Sequence, residues 1–370
     1  MSNYTIRPID QSYNRRMLEI LRGSPIVTER MTVCFDRQPD IFALSRCKYD
    51  DIFYQGLFED ETLKGFGMIG YHQALVNGTP SEVFCGRDLY ILPEARGNKF
   101  LAKSTEIHFR ENQHRSPIGY GLVMHGNKAS LRFVGNRPEK NRYSPLSRII
   151  NKMVVHTIFL TLPVSAARRY KIRRAQTEDI PVIVKLLNNE HKDRLFGNIY
   201  TEETITAYLG KKPGLSIAGY FLAFDRNGQC CGVCAAWDMS LLKQTRVLKY
   251  GSAFLPAKIG YEFFSTLFNQ PALPKPGDHF REVTITDYAV EDRNPEIINA
   301  LLKTVYRQYR QLGYHFMVWW SSEDDPLLMA AKGFMKQRIF SNIVLFSTKP
   351  EWLEEGMVKN HLPYIDASAI

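Results

Sequence analysis

The sequence predicts an α+β protein of two similar domains, each a mostly antiparallel mixed sheet flanked by helices. Three observations lead there. A short alternating string opens two passes along the chain, Tyr4-Thr5-Ile6-Arg7 and Tyr170-Lys171-Ile172-Arg173. Each pass then follows one element order, a hairpin before a strand-helix-strand crossover. The 370 residues, 44% hydrophobic and 12% aromatic, exceed one usual domain and suffice for packed cores.

Alternation of apolar and polar residues marks the opening strings as half-buried strands. Helix-like segments follow at residues 13–21 and 180–191. A hairpin comes next in each pass. Residues 51–57 and 63–71 flank Glu59-Asp60-Glu61, and residues 220–224 and 230–237 flank Asp225-Arg226-Asn227-Gly228. Asn-Gly favours a hairpin because both residues tolerate positive φ. Strands at 83–92 and 282–290 lead into helices at 99–112 and 295–312. Strands at 119–125 and 315–320, short helices at 128–133 and 326–331, and closing strands at 149–162 and 340–347 complete the passes. The boundary falls near residues 162–169, dividing the chain into 1–165, 166–348 and a tail, 349–370. Two unrelated α+β domains would share this outline by chance, and that alternative stays open.

The formal charge of +10 favours anionic partners such as a phosphorylated co-substrate. The amino terminus has no apolar core of signal-peptide length, and the most apolar stretch, 153–167, is too short and interrupted to span a bilayer. A soluble cytoplasmic protein with no membrane partner is expected. The six cysteines lack framework spacing and fit reduced thiols. Cys230, Cys231 and Cys234 have no second ligand cluster, so no metal is expected. The basic run from Arg168 to Arg174 interleaves with Tyr170 and Ile172 as one charged strand face, so nucleic acid is not expected either. Asn77-Gly78-Thr79-Pro80 reads as a turn.

The segment that carries chemistry is Asp88-Leu89-Tyr90-Ile91-Leu92-Pro93-Glu94-Ala95-Arg96-Gly97-Asn98-Lys99-Phe100-Leu101. An apolar strand runs through a Pro-Glu turn and a basic loop into a helix. The first helical N–H groups lack intrahelical partners and can donate to phosphate oxygens. Gly97 permits close approach of a ligand, and Arg96 and Lys99 add charge. An ordinary strand-turn-helix join with a solvated Arg-Gly turn is the plainer alternative.

This segment resembles the acyl-CoA-binding segment of the Gcn5-related N-acetyltransferases. The resemblance implies that Leu89, Tyr90 and Ile91 pair with pantetheine, that Arg96 and Gly97 begin the pyrophosphate loop, and that Asn98, Lys99, Phe100 and Leu101 wrap it. The family's loop glycines are Lys99 and Leu101 here. Asn127 matches a cofactor-contacting Asn, and it is equally a good N-cap. Phe133 stands near a Tyr that protonates the leaving thiolate in many members, and it cannot donate a proton. In the second pass Asn294, Pro295 and Glu296 already cap the helix, so that half is not expected to bind CoA in the usual mode.

Acyl transfer to an amine needs a deprotonated amine, a stabilised oxyanion and a departing thiolate. Asp88 is the candidate base or amine-orienting group, or a structural hydrogen-bond partner at a strand bulge. His125 ends the next strand and titrates in the useful range, or is a surface histidine. The resemblance thus implies an N-acetyltransferase that uses acetyl-CoA or another acyl-CoA and a small-molecule or peptide amine. A non-catalytic CoA-binding or interaction module is the alternative.

Overall fold

A computed structural model describes residues 4–128, 130–131, 145–354 and 362–367. The first half contributes β1 (Tyr4–Pro8), β2 (Ile26–Val27), β3 (Met31–Asp36), β4 (Asp51–Glu59), β5 (Thr62–Val76), β6 (Thr79–Ile91), β7 (Ile118–Met124) and β8 (Leu146–Phe159). The second contributes β9 (Lys171–Arg174), β10 (Tyr220–Phe224), β11 (Cys230–Trp237), β12 (Gln244–Tyr250), β13 (Glu282–Val290), β14 (Phe316–Ser322) and β15 (Lys336–Ser347). The longer helices are α1 (Asn14–Arg22), α2 (Phe100–Glu111), α3 (Ile180–His191), α4 (Glu202–Gly210), α5 (Leu255–Leu267) and α6 (Pro295–Gln311). Helices flank a large mixed sheet, as the sequence predicts.

The strands of both halves join one twelve-stranded sheet in the order β1-β4-β5-β6-β7-β15-β8-β14-β13-β11-β10-β9. Read inward from either edge, the two halves repeat the same series of five strands. At the centre they exchange their closing strands. β15 lies antiparallel to β7, with Val344 opposite Gly121, and β8 lies antiparallel to β14, with Val155 opposite Trp320. β8 and β15 pair with each other between them. Within the large sheet, among the described residues, β6 runs parallel to β7 and β13 to β14. A shared core on one face draws Phe58, Phe66 and Tyr120 from the first half and Leu187, Phe196 and Trp237 from the second.

Local chemistry explains the elements that position the site. Asn77 and Gly78 both take positive φ, 51° and 78°, so the chain reverses tightly and β5 and β6 run longer than the alternation suggests. α6 buries Ile297, Ile298, Leu301, Leu302, Val305 and Tyr309 along one stripe. Its start is fixed by Pro295 and by Asn294, whose Oδ1 accepts from the Glu296 amide at 2.9 Å. A small sheet, β12-β3-β2, bridges the halves and was not legible in advance. Its strands come from positions more than 200 residues apart, Phe35 facing Thr245. Cys230, Cys231 and Cys234 lie on β11 as free thiols. Among the described residues no helix is long and apolar enough to cross a membrane, and no cluster of three metal-ligating side chains occurs.

The exchange predicts mutual dependence of the halves. Residues 1–165 expressed alone would leave β7 and β8 without their neighbours β15 and β14. We expect broad, poorly dispersed amide spectra from that fragment, and dispersed spectra on co-expression with residues 166–370. A well-dispersed spectrum of the isolated fragment would contradict this.

Candidate functional site

β6 and β7 pair only across Phe84–Gly119, Cys85–Tyr120 and Gly86–Gly121. Beyond Gly86 both strands continue but no longer pair, so their carboxyl ends form the arms of a cleft. The paired part is tight: a Cβ at Gly119 would sit 2.3 Å from the Phe84 carbonyl oxygen. At the last pair, among the described residues, a Cβ at Gly86 would meet nothing within 4 Å.

A bulge starts the divergence. Arg87 faces Met68 and Tyr90 faces Phe66, so Asp88 and Leu89 share the single residue Gly67. Asp88 takes φ 54°, a conformation Asp tolerates better than most residues. Such a bulge removes backbone groups from the ladder and re-aims them. Here they belong to Asp88 and Leu89, and the Leu89 side chain is exposed.

The bulge is pinned from beneath. Arg37 donates through Nη1 and Nη2 to the two Asp88 oxygens at 2.7 and 2.9 Å, and Arg87 lies 3.5 Å away. Both members of the Arg37–Asp88 pair are almost wholly buried. Burial alone would raise the Asp88 carboxyl, but the charges of Arg37 and Arg87 and the Arg37 hydrogen bonds hold it well below the usual range. A carboxylate so held is a weak proton acceptor. The geometry is that of the structural partner at a bulge.

Beside this pair stand two groups that the sequence reading missed. Burial lowers the Lys243 ammonium to about 8, and burial raises the Glu282 carboxyl. Lys243 also feels the charges of Arg37, Arg87 and Asp88, and Glu282 accepts from Thr245 Oγ1 at 3.1 Å. They come from the residue before β12 and the first residue of β13 in the second half, so no local pattern relates them to the first cleft.

The basic loop follows β6. A 3-10 turn at Pro93–Ala95 leads to Arg96, Gly97 (φ 91°), Asn98 and Lys99. Lys99 is the N-cap of α2 in the left-handed conformation, φ 56° and ψ 28°, with no side-chain cap bond. It thus keeps a backbone that glycine would adopt more readily. The first amides of α2 have no side-chain cap. Arg96, Gly97 and Lys99 are exposed, and a Cβ at Gly97 would meet nothing within 4 Å. Asn98 Nδ2 donates to the Ala95 carbonyl at 2.9 Å, and Arg96 Nε to the Ile91 carbonyl at 3.4 Å, so both brace the loop. Phe100 is buried against Leu57 and Ala95, and Leu101 is half-buried. The loop therefore presents backbone and two cations, while Phe100 anchors the helix.

On the other arm, His125 is exposed and its amide donates to the Phe340 carbonyl at 3.0 Å. Asn127 Oδ1 accepts from the Ser130 amide at 3.1 Å, the cap bond. Phe133 lies outside the described residues. The structure thus gathers Asp88 to Ile91 and Arg96 to Leu101 at one strand end and helix start. His125 and Asn127 sit at the end of the neighbouring strand.

The second half repeats the geometry and fills it. β13 and β14 pair from Glu282 to Thr284, then diverge. A bulge places Asp287 at φ 45°. Its buried carboxylate accepts from Tyr200 (3.0 Å), Tyr208 (3.0 Å), Tyr220 (2.8 Å) and Tyr364 (3.4 Å). At the following loop Arg293 turns inward and, with Arg194, bridges Glu190 and Asp325. The chain's own Pro363, Tyr364 and Ile365 line the space between Tyr288 and Trp320, where Trp320 Nε1 donates to the Ile365 carbonyl at 3.1 Å. The remaining cavity is about 10 Å³, room for one water.

No protein-family model matches the sequence, and no curated protein matches it. Solved structures do match the fold. Saccharomyces cerevisiae N-myristoyltransferase with bound myristoyl-CoA superposes with a TM-score of 0.60 at 12% identity, covering 95% of this chain and 80% of that one. A GCN5-related N-acetyltransferase from Anabaena variabilis gives 0.51 at 11% identity, covering 94% and 73%. Another from Sphaerobacter thermophilus gives 0.51 at 13%, covering 85% and 82%. The fold is therefore that of the GCN5-related acyltransferases.

Replacing Arg37 by Met leaves the buried Asp88 carboxylate with Arg87 as its nearest cation. Urea unfolding at pH 7 should show a loss of about 3 kcal/mol. Because the folded carboxyl is depressed, its contribution is complete above the unfolded value near 4 and fades as pH falls through the folded one. The gap between variant and wild type should narrow below pH 4. A pH-independent loss under about 1 kcal/mol would contradict the assignment.

Proposed function

We propose that this protein is an N-acyltransferase. In this reading the first cleft takes acetyl-CoA or another acyl-CoA, and the acyl group passes to an amine on a small molecule or peptide. The observation that carries it is the contrast between the clefts. Among the described residues no segment of the chain fills the first, which has a bulge and an uncapped basic helix start, whereas the second is filled by Pro363, Tyr364 and Ile365.

In this reading the Leu89–Ile91 edge left by β7 pairs with the pantetheine amides. Arg96, Lys99 and the first amides of α2 neutralise the phosphates. The re-aimed bulge amide at Leu89 faces the developing oxyanion, a role in which one donor is worth about 3 kcal/mol. Asp88 acts through Arg37 as a positioning residue, and the Lys243–Glu282 pair is the proton acceptor for the amine. The amine attacks the thioester carbonyl and the C–N bond forms; the attacking nitrogen gives its proton to that pair, the C–S bond breaks, and the leaving thiolate takes a proton back from the pair or from solvent. The second half supplies the acceptor wall and Glu282. Ligand sites commonly lie at such junctions.

Isothermal titration with acetyl-CoA, and in parallel with myristoyl-CoA, tests the cofactor assignment. One equivalent should bind, and Arg96→Ala with Lys99→Ala should weaken binding roughly tenfold or more. Thiol release on adding an amine panel should accompany it and should fall in Glu282→Gln. Binding without thiol release for any acceptor would favour the non-catalytic module. No binding at millimolar ligand would sink the proposal.

A further inference from the structure

α5 carries an apolar stripe that faces solvent. Leu255, Ile259, Phe263 and Leu267 recur every four residues and are 55–63% exposed. Phe264 beside them is also exposed, and the helix buries only Tyr261 and Ser265. Four large apolar groups aligned on one short helix form a contiguous patch of the kind that marks an interaction site.

Cations gather at one end of the stripe, around Tyr250. Exposed Lys249 precedes it, and Lys258 Nζ lies 5.4 Å from its ring centre. Tyr250 Oη donates to the Pro274 carbonyl at 2.8 Å, which places exposed Lys275 beside it. Residues 244–278 hold Arg246, Lys249, Lys258 and Lys275 against Glu262 and Asp278. Tyr250 stacks on Phe254, the residue before α5, so these lysines stand by the helix amino end. Lys258 is paired with Glu262 at 3.5 Å, while Lys249 and Lys275 lie by a helix amino end, where cations are unfavourable within the chain and suit an external anion.

We propose that this face docks on an anionic lipid bilayer, with the stripe inserted among the acyl chains and the lysines against the headgroups. This departs from the sequence expectation of no membrane partner. A second copy of the chain fits less well, because an antiparallel pairing of the two helices would set the lysine end against the stretch from Leu267 to Gln270, which carries no acid.

Flotation of the full chain with phosphatidylcholine vesicles, with or without phosphatidylglycerol, tests this. Binding to the anionic vesicles should be roughly tenfold tighter than to neutral ones. It should be lost in Ile259→Ser, Phe263→Ser and weakened in Lys249→Gln, Lys275→Gln. Thermal melts of both variants should stay near wild type, since the altered side chains are exposed. Absence of binding, equal binding to both vesicles, or undiminished binding by the apolar variant would overturn the proposal. So would a dimer in sedimentation velocity that the apolar variant dissolves, if vesicle binding is absent.

Discussion

The bidentate contact between Arg37 and Asp88 is the constraint on which the first cleft rests. Where β6 leaves its parallel neighbour it carries an extra residue against β5. Here that residue is Asp88, in the left-handed region, with its side chain directed into the protein. Burying a lone carboxylate is costly, and Arg37 supplies both the charge and two matched donors. The same contact ties β6 to the end of β3, and so to the small sheet that bridges the halves.

The two halves show one scaffold put to different ends. Each has parallel strands that part, and each has an Asp at the bulge. Asp88 is answered by the guanidinium groups of Arg37 and Arg87. Asp287 is answered by four tyrosine hydroxyls, which pack it. The loops differ in the same sense. Lys99 faces solvent at an uncapped helix start, while Arg293 folds back onto Glu190 and Asp325 and Asn294 caps the helix. A few side chains thus set the two clefts apart.

Much of the fold was legible because it rests on local signals. The opening strings, Asn227-Gly228, and Asn294 with Pro295 each act within a few residues of themselves. The central exchange was not legible. β8 and β15 alternate well enough to close either half, and only the assembled sheet decides between neighbours. The turn from Arg96 to Lys99 into a helix could be read because the residues that form it are consecutive. Arg37, Lys243 and Glu282 could not, since each meets its partners across a long stretch of chain. The exposed stripe of α5 was also hidden, because the same spacing ordinarily marks a buried face.

Hydrogen-deuterium exchange of the whole chain, with and without a non-transferable acyl-CoA analogue, tests the central claim most directly. Protection confined to residues 86–101 would place the ligand in the first cleft, on the strand end and helix start described above. Protection at residues 285–296, or none in either cleft, would contradict the account.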